Sequence, residues 1–384
     1  MEYKPLGSMV NRKIGYGIVQ PGQSVPDGVP VIKVNNLISG LKSPSELDTT
    51  ARENEAKYSR TRLHGGELIV SVVGTIGKTA IVPKSFAGCN LVRATALIDI
   101  EDELMSKWVK YYFDSPCGQS YIEQNLNTTV QPTLNIKSLV EMPIPIRDIT
   151  EMEKNVLLLS ALDEKIEVNR QINDNLQQQA AALFANFYDQ AETEVGFTEM
   201  IQILGGGTPK TGESSYWNGD IPFFTPKDVG FPYTLTTEKT ITEEGLAHCN
   251  SRLYPINTVF VTARGTVGKV GLPGVPMAMN QSCYALVGKD THQLLVYFYT
   301  LKAVDRLKHK ASGAVFDAIT TRDFEAENIM KLSDDDTKAF LDVAEPIYQA
   351  VLNNSIENLR LSELRDSLLP KLMNGEIDVT DIRL

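Results

Sequence analysis

The sequence predicts an α+β fold in which two repeated domains, each of mixed helix and twisted β-sheet, are separated by two long helices paired as an antiparallel coiled coil. Three observations carry this expectation: the two halves of the 384-residue chain match each other, each half ends in a heptad seam, and each seam is preceded by short β-branched runs. Self-similarity is read first, because a missed repeat misreads the whole fold.

The halves align at an offset that starts near 192 residues, where Asp27–Leu37 (DGVPVIKVNNL) lies over Asn218–Val229 (NGDIPFFTPKDV) and Pro30 falls on Pro222. At an offset of 191, Ser71–Lys78 (SVVGTIGK) lies over Thr262–Lys269 (TARGTVGK), so Gly74, Thr75, Gly77 and Lys78 fall on Gly265, Thr266, Gly268 and Lys269. At 185, Thr128–Leu139 lies over Gly313–Phe324, with Val130 on Val315 and Leu134 on Ile319. Unbroken order with a drifting offset is how a duplication with a few short deletions looks.

The end of each half reads as one helix of nearly forty residues. Leu159, Leu162, Ile166, Asn169, Asn173, Leu176, Ala180, Leu183 and Phe187 alternate steps of three and four, which is a heptad seam. Adding 185 gives Ala344, Ile347, Val351, Asn354, Asn358, Leu361, Arg365, Leu368 and Leu372, and both asparagines fall on asparagines. A polar residue in an apolar seam costs stability and fixes register, so the two matched layers predict that these helices pair with each other. Seam positions count in opposite directions in an antiparallel pair, which puts Asn169 near Asn358. The residues expected to make the pairing are Leu162, Ile166, Asn169, Asn173 and Leu176 on one helix and Ile347, Val351, Asn354, Asn358 and Leu361 on the other. A helix over 151–189 is on the order of 57 Å long at 1.5 Å per residue.

Ahead of each seam, Leu68–Val73 (LIVSVV), Leu91–Ile100 (LVRATALIDI) and Thr258–Ala263 (TVFVTA) read as strands, being short, β-branched and bounded by turn residues. Glu103–Phe113 and His292–Lys310 have helical spacing. The expected divisions are a first domain over 1–149, a long helix over 150–190, a second domain over 191–334, a second long helix over 335–376 and a tail over 377–384.

Composition bounds the function. No apolar run approaches the roughly 18 residues of a membrane span, and the start MEYKPLGSMVNRK has no apolar core of signal-peptide length, so a cytoplasmic location is expected. Cys89, Cys117, Cys249 and Cys283 are scattered, with no CxxC pair, and are expected to be reduced. A net charge of −11 argues against a phosphate-rich partner until its distribution is examined. Residues 1–150 carry 16 basic and 15 acidic groups, 151–190 carry 3 and 7, 191–334 carry 13 and 16, and 335–384 carry 5 and 10, so most of the excess acid lies outside the first domain. Local basic stretches remain at Arg52, Lys57, Arg60 and Arg62 and at Lys302, Arg306, Lys308 and Lys310.

No motif announces catalysis. GTIGKT (Gly74–Thr79) resembles the end of a P-loop, yet the first glycine of GxxxxGK[ST] would fall on Val72, and the repeat partner GTVGKV lacks the Ser/Thr. A tight turn between strands explains both copies, and its lysine remains able to touch a phosphate as a point charge. Gly205–Glu213 (GGGTPKTGE), followed by SSYWNGDIPFFTPKD, combines a flexible loop with cations and aromatics, a composition suited to groove contact or to an ordinary surface loop. The histidines (His64, His248, His292, His309) are isolated in sequence, so neither a zinc site nor a triad is expected. No nuclease-like carboxylate cluster, Asn-Pro-Pro-aromatic motif or GxGxxG is present, and neither catalytic nor metal residues are expected.

These features together resemble the specificity subunit of type I restriction-modification enzymes. The resemblance rests on GGGTPKTGESSYWNGDIPFFTPKDV, the two GTxGK turns, VQPTLNIKSLVEMPIPI (Val130–Ile146), SGAVFDAIT (Ser312–Thr320) and LRDSLLPKLMNGEIDV (Leu364–Val379), which span both halves. It implies two target-recognition domains, each reading half of a split double-stranded DNA site, with the helices as spacer and as docking surface for two methyltransferase subunits. Those subunits would bring S-adenosylmethionine and adenine-N6 methylation, and motor-nuclease subunits would bring ATP, Mg2+ and cleavage, leaving this chain non-catalytic and free of cofactor. DNA contacts are expected from Lys33, Arg60, Arg62 and Lys78 in the first domain and from Lys210, Lys227, Arg264 and Lys269 in the second. The first copy departs from the pattern in having no TPKTG-type loop. Two other readings stay open at this point: a DNA-binding adaptor of the same architecture serving another defence or regulatory complex, and a stand-alone methyltransferase or nuclease.

Overall fold

The computed structural model describes residues 2–41, 43–127, 131–230, 232–310 and 318–379. The Val130/Val315 match and residues 312–317 of SGAVFDAIT lie outside them, as does the tail from 380. Among the described residues no helix is long and apolar enough to cross a membrane.

The chain forms two compact units, Met1–Glu164 with Ser362–Leu384, and Lys165–Leu361. The long helices run Ile149–Gln190 and Asp334–Asn374, so each unit holds one domain and a stretch of both helices.

In the first unit an antiparallel sheet runs in the order Arg12–Tyr16, Thr95–Asp99, Leu68–Ser71, Thr79–Ile81. Leu68–Ser71 is buried along its whole length, which is why LIVS reads as a continuous rather than alternating run. A smaller sheet places Val29–Ile32 between Thr49–Thr50, antiparallel, and Asn90–Leu91, parallel. Glu2–Pro5 pairs antiparallel with Pro143–Ile146 and closes the domain. The helix Glu103–Asp114 buries Trp108, Val109 and Phe113, and the Trp108 indole donates to the Pro145 carbonyl at 2.8 Å.

The second unit repeats this plan with one strand added to the main sheet. Its main sheet runs Ile201–Gly205, Cys283–Gly288, Val259–Thr262, Val270–Pro273, with Tyr233–Thr234 added parallel at the edge. Trp217–Phe224 lies between Thr240–Ile241, antiparallel, and Ala278–Met279, parallel. Thr193–Gly196 pairs with Asn328–Lys331 as the closing ribbon.

One expected strand is two. Leu91–Ile100 breaks at Val92–Ala94, because Leu91 pairs with Ile32 in the small sheet whereas Thr95–Asp99 belongs to the main one, and the chain turns between them. A run of β-branched residues records burial, not which sheet receives it.

Within the second unit the long helices run antiparallel. Asn169 Nδ2 donates to Asn358 Oδ1 at 2.9 Å and to Glu357 at 2.7 Å, and Asn354 Nδ2 donates to Asn173 Oδ1 at 2.8 Å. The remaining amide donors reach backbone carbonyls across the seam, Asn173 to Val351 at 3.2 Å and Asn358 to Ile166 at 3.2 Å. Ile166 and Val351 are buried, Leu176 and Ile347 pack against the core, and Leu162 and Leu361 are half-buried.

Candidate nucleic-acid interface

The two GTxGK segments build the same turn twice. The Ser71 hydroxyl donates to the Thr75 carbonyl at 2.6 Å and accepts from the Lys78 amide at 2.8 Å; Thr262 does the same with Thr266 at 2.5 Å and Lys269 at 2.9 Å. The Gly77 amide donates to the Ser71 carbonyl at 2.9 Å, and the Gly268 amide to the Thr262 carbonyl at 2.8 Å. Gly74, Gly77, Gly265 and Gly268 have φ of 79°, 83°, 81° and 73°, left-handed values that L side chains rarely adopt. With the amides of Gly77 and Lys78 bonded inside the loop, the turn offers no phosphate cradle of the P-loop kind. It holds the Lys78 and Lys269 side chains at the surface, where neither has an ion-pair partner among the described residues.

In the second domain the turn forms one wall of a cleft of about 460 Å³. Lys227, Lys239 and Arg264 line it together with Thr225, Pro226, Glu238, Gly265, Thr266, Asn280 and Ser282. The single carboxylate, Glu238, lies 3.9 Å from Lys227, with both groups well exposed. Three cations facing one acid give the cleft a positive balance despite the acidic chain. Lys210 is exposed on the neighbouring Gly205–Glu213 loop, whose Lys210 carbonyl accepts from the Trp217 indole at 3.2 Å and whose Thr208 hydroxyl bonds the Gln281 side chain.

The four candidates of the first domain are placed less uniformly. Lys78 and Arg60 are exposed, and their side chains are unpaired among the described residues. Lys33 is paired with Asp48 at 2.5 Å. Arg62 is exposed but engaged: its fork meets the buried Glu55 carboxylate at 2.9 and 2.5 Å. Glu55 also accepts from Asn90, whose carbonyl oxygen takes the Thr61 hydroxyl and the Leu91 amide. The Arg62 hydrogen bonds outweigh burial and hold the Glu55 carboxyl below the usual range. Arg62 is therefore held by a buried carboxylate, and a basic stretch in sequence does not say which of its members are paired in this way.

The second basic stretch divides in the same way. Arg306 and Lys310 pair with the buried Glu327, Arg306 also donates to the Tyr188 hydroxyl at 3.0 Å, and Lys302 lies over the Tyr188 ring at 5.2 Å. Among the described residues Lys308 alone of the four is exposed and unpaired, and it lies against Gly268 of the turn. Lys239 joins the cleft through strand pairing, a placement no local pattern in the sequence signals. Among the described residues no three His, Cys, Asp or Glu side chains gather as a metal site, and all four cysteines are free.

Against known families, residues 2–178 and 193–331 match the type I restriction modification DNA specificity domain. The type I restriction enzyme HindI specificity subunit of Haemophilus influenzae is 24% identical over 327 residues, covering 64% of this chain and 71% of that protein. The MjaIX specificity subunit of Methanocaldococcus jannaschii is 32% identical over 124 residues, covering 31% of this chain and 29% of that one. Among solved structures, the S subunit of a type I restriction-modification system from M. genitalium aligns over 96% of this chain and 95% of its own, with a TM-score of 0.54 and 16% identity, a likeness of fold.

Proposed function

The chain belongs to the type I restriction-modification DNA specificity family, and from that premise we propose that it is the subunit through which such a complex reads a two-part double-stranded DNA target. The observation that carries this reading is the repetition of one cation-bearing turn on two copies of one domain, each copy joined to the paired long helices. Two readers with the same scaffold and different surroundings suit a target made of two different half-sites.

The division of labour follows from the residues present. Lys78, Lys269, Lys210 and Arg60 carry exposed positive charge suited to phosphates, and the cleft beside Arg264 is the place for base edges. The acidic helices repel DNA and suit protein partners, which we propose to be two methyltransferase subunits and, for cleavage, motor-nuclease subunits. S-adenosylmethionine, ATP and Mg2+ belong to those partners in this scheme, and this chain contributes recognition without catalysis.

Methylation mapped genome-wide in cells with and without the gene tests the reading. Loss of adenine methylation at one split sequence motif is the expected result. An unchanged methylome together with sequence-specific binding by the chain would instead favour an adaptor, and methylation by the purified chain alone would overturn the non-catalytic role.

A further inference from the structure

Because the two domains repeat one hydrogen-bond ladder, each side chain around the cleft has a counterpart in the other copy, fixed by backbone bonds. The Phe223 amide donates to the Lys239 carbonyl at 3.0 Å and the Val31 amide to the Asp48 carbonyl at 2.8 Å, so Lys239 corresponds to Asp48. The Asn280 amide donates to Phe224 at 3.0 Å and the Val92 amide to Ile32 at 3.2 Å, so Asn280 corresponds to Val92. Arg264 bridges Ala318 and Val73 bridges Thr133, each one residue after a carbonyl that accepts at 3.0 Å from Ile319 or Leu134, so Arg264 corresponds to Val73.

These pairs fall into two kinds. At the turn the copies agree, lysine for lysine. Around the cleft they disagree in chemistry: guanidinium against isopropyl, ammonium against carboxylate, amide against isopropyl. A phosphate is the same whatever base it carries, so a phosphate contact has no reason to change after duplication, whereas a base contact must change when the halves read different sequences. By that criterion Lys78 and Lys269 are backbone contacts and Arg264 is not.

The cleft also says what kind of edge it takes. The Thr225 hydroxyl donates to Asp228 at 2.7 Å and the Thr266 hydroxyl to the Pro226 carbonyl at 3.2 Å, so neither proton is left for a base, and Asn280 Oδ1 accepts from the Ser282 amide at 3.0 Å. Beside the exposed Glu238, a charged donor that it turns outward is Arg264, itself exposed and without an ion pair among the described residues. In the major groove guanine presents two adjacent acceptors, O6 and N7, which a planar guanidinium fork matches with two parallel bonds. We propose that Arg264 is a specificity-determining residue that selects a guanine in the half-site read by the second domain, and that Val73 leaves the matching place of the first half-site without that preference. The proposal rests on the reading of the chain as a DNA-specificity subunit.

The test is a selection from a randomised duplex library by the tagged full-length chain, recovered from its own cells with the subunits bound to it. The wild type is expected to enrich a guanine at one position of one half-site. R264A should lose roughly 5- to 150-fold of discrimination there and keep every other preference. K269A should weaken binding to all sequences alike and reduce the slope of log affinity against log salt by about one. V73R, made in the other unit and independent of how R264A folds, should add a guanine preference to the other half-site. A uniform loss in R264A resembling that of K269A, or an unchanged base preference, overturns the proposal while leaving the functional reading intact. A wild type that enriches no sequence overturns both.

Discussion

The two places where a domain rests on the helix pair both have an apolar core and differ in what is added to it. In the first unit the contact adds charges to the apolar core that Met152, Val156, Leu159, Leu369 and Leu372 share with Trp108 and Phe113: Lys110 Nζ lies 3.0 Å from Asp114 and 3.2 Å from Asp163, the Tyr111 hydroxyl donates to Asp163 at 3.0 Å, and Arg365 reaches the other Asp163 oxygen at 2.8 Å. In the second it is made by rings: Phe184 stacks on Phe298 at 4.9 Å and meets Tyr299 and Phe340 edge-on at 5.6 and 5.5 Å, while Phe298 meets Tyr348 at 5.7 Å. The repeat offset of 185 carries Asp163 onto Tyr348, Ala180 onto Arg365 and Phe184 onto Leu369, so the exchange is position for position. Duplication kept where the helices are gripped and let the means diverge. A ring cluster gains from buried area and edge-to-face geometry, and it loses in proportion to what is removed. A charged cluster is stable only when complete.

The largest effect is expected from Phe184→Ala, which removes the ring that touches Tyr188, Phe298, Tyr299 and Phe340. Such a truncation in a packed core costs about 3–5 kcal/mol. Hydrogen exchange on the full chain should show the loss in Gln293–Lys310 and leave Glu103–Asp114 protected. Equal loss in both helices would mean that the two junctions are not energetically separate.

The sequence disclosed the positions in this comparison and concealed the contacts. Periodicity located both long helices and the matched asparagines, because a seam is a one-dimensional pattern with a fixed step. The recurring glycines and lysine located the turn, since left-handed φ restricts what can stand there. Asp163 and Tyr348 each sit one place after a seam residue and look like flank positions; only packing shows that both face a domain. Arg62 and Arg306 look like unpaired surface cations, and each is held by a buried glutamate on a separate element, Glu55 or Glu327. The correspondence of Lys239 with Asp48 lies in backbone hydrogen bonds, and sequence alignment alone has little hold on it because the strands around it are two residues long.

A smaller effect is expected from breaking the charged junction. Asp163→Ala leaves Lys110 and Arg365 facing each other without their shared carboxylate, at a cost of roughly 2–4 kcal/mol, below the figure for a fully buried pair because the Asp163 side chain keeps 25% exposure. The triple variant K110M/D163L/R365L removes the Lys110, Asp163 and Arg365 charges together and leaves Asp114 bonded to the Thr79 hydroxyl at 2.6 Å; it should be neutral or more stable than wild type in denaturant unfolding. A triple variant as unstable as the single one would show that the charges, rather than their completeness, hold the domain.

The smallest effect is a difference in acid tolerance between the junctions. Burial alone would raise the Asp163 carboxyl, but Lys110 and the Arg365 hydrogen bond outweigh it and hold the group below its ordinary range. A carboxyl depressed in the fold contributes stability that is complete above its unfolded value, about 3.9, and is lost as pH falls through the folded value. Glu55, in the same unit, is held low by Arg62 and adds to the same acid limb. In the second junction burial raises Tyr348 and pushes Tyr297 up to about 12, so those hydroxyls are neutral throughout the acid range and contribute nothing to it. The chain has two tryptophans, one in each unit, and Trp217→Phe leaves the buried Trp108 as the sole reporter of the first. Its emission should shift to the red as pH is lowered below about 4, and adding K110M/D163L/R365L should move that midpoint to lower pH, since the titrating carboxylate of the junction is gone. Coincident midpoints with and without the triple substitution would show that the acid limit of this unit is set elsewhere, with the Glu55–Arg62 pair the next group to remove.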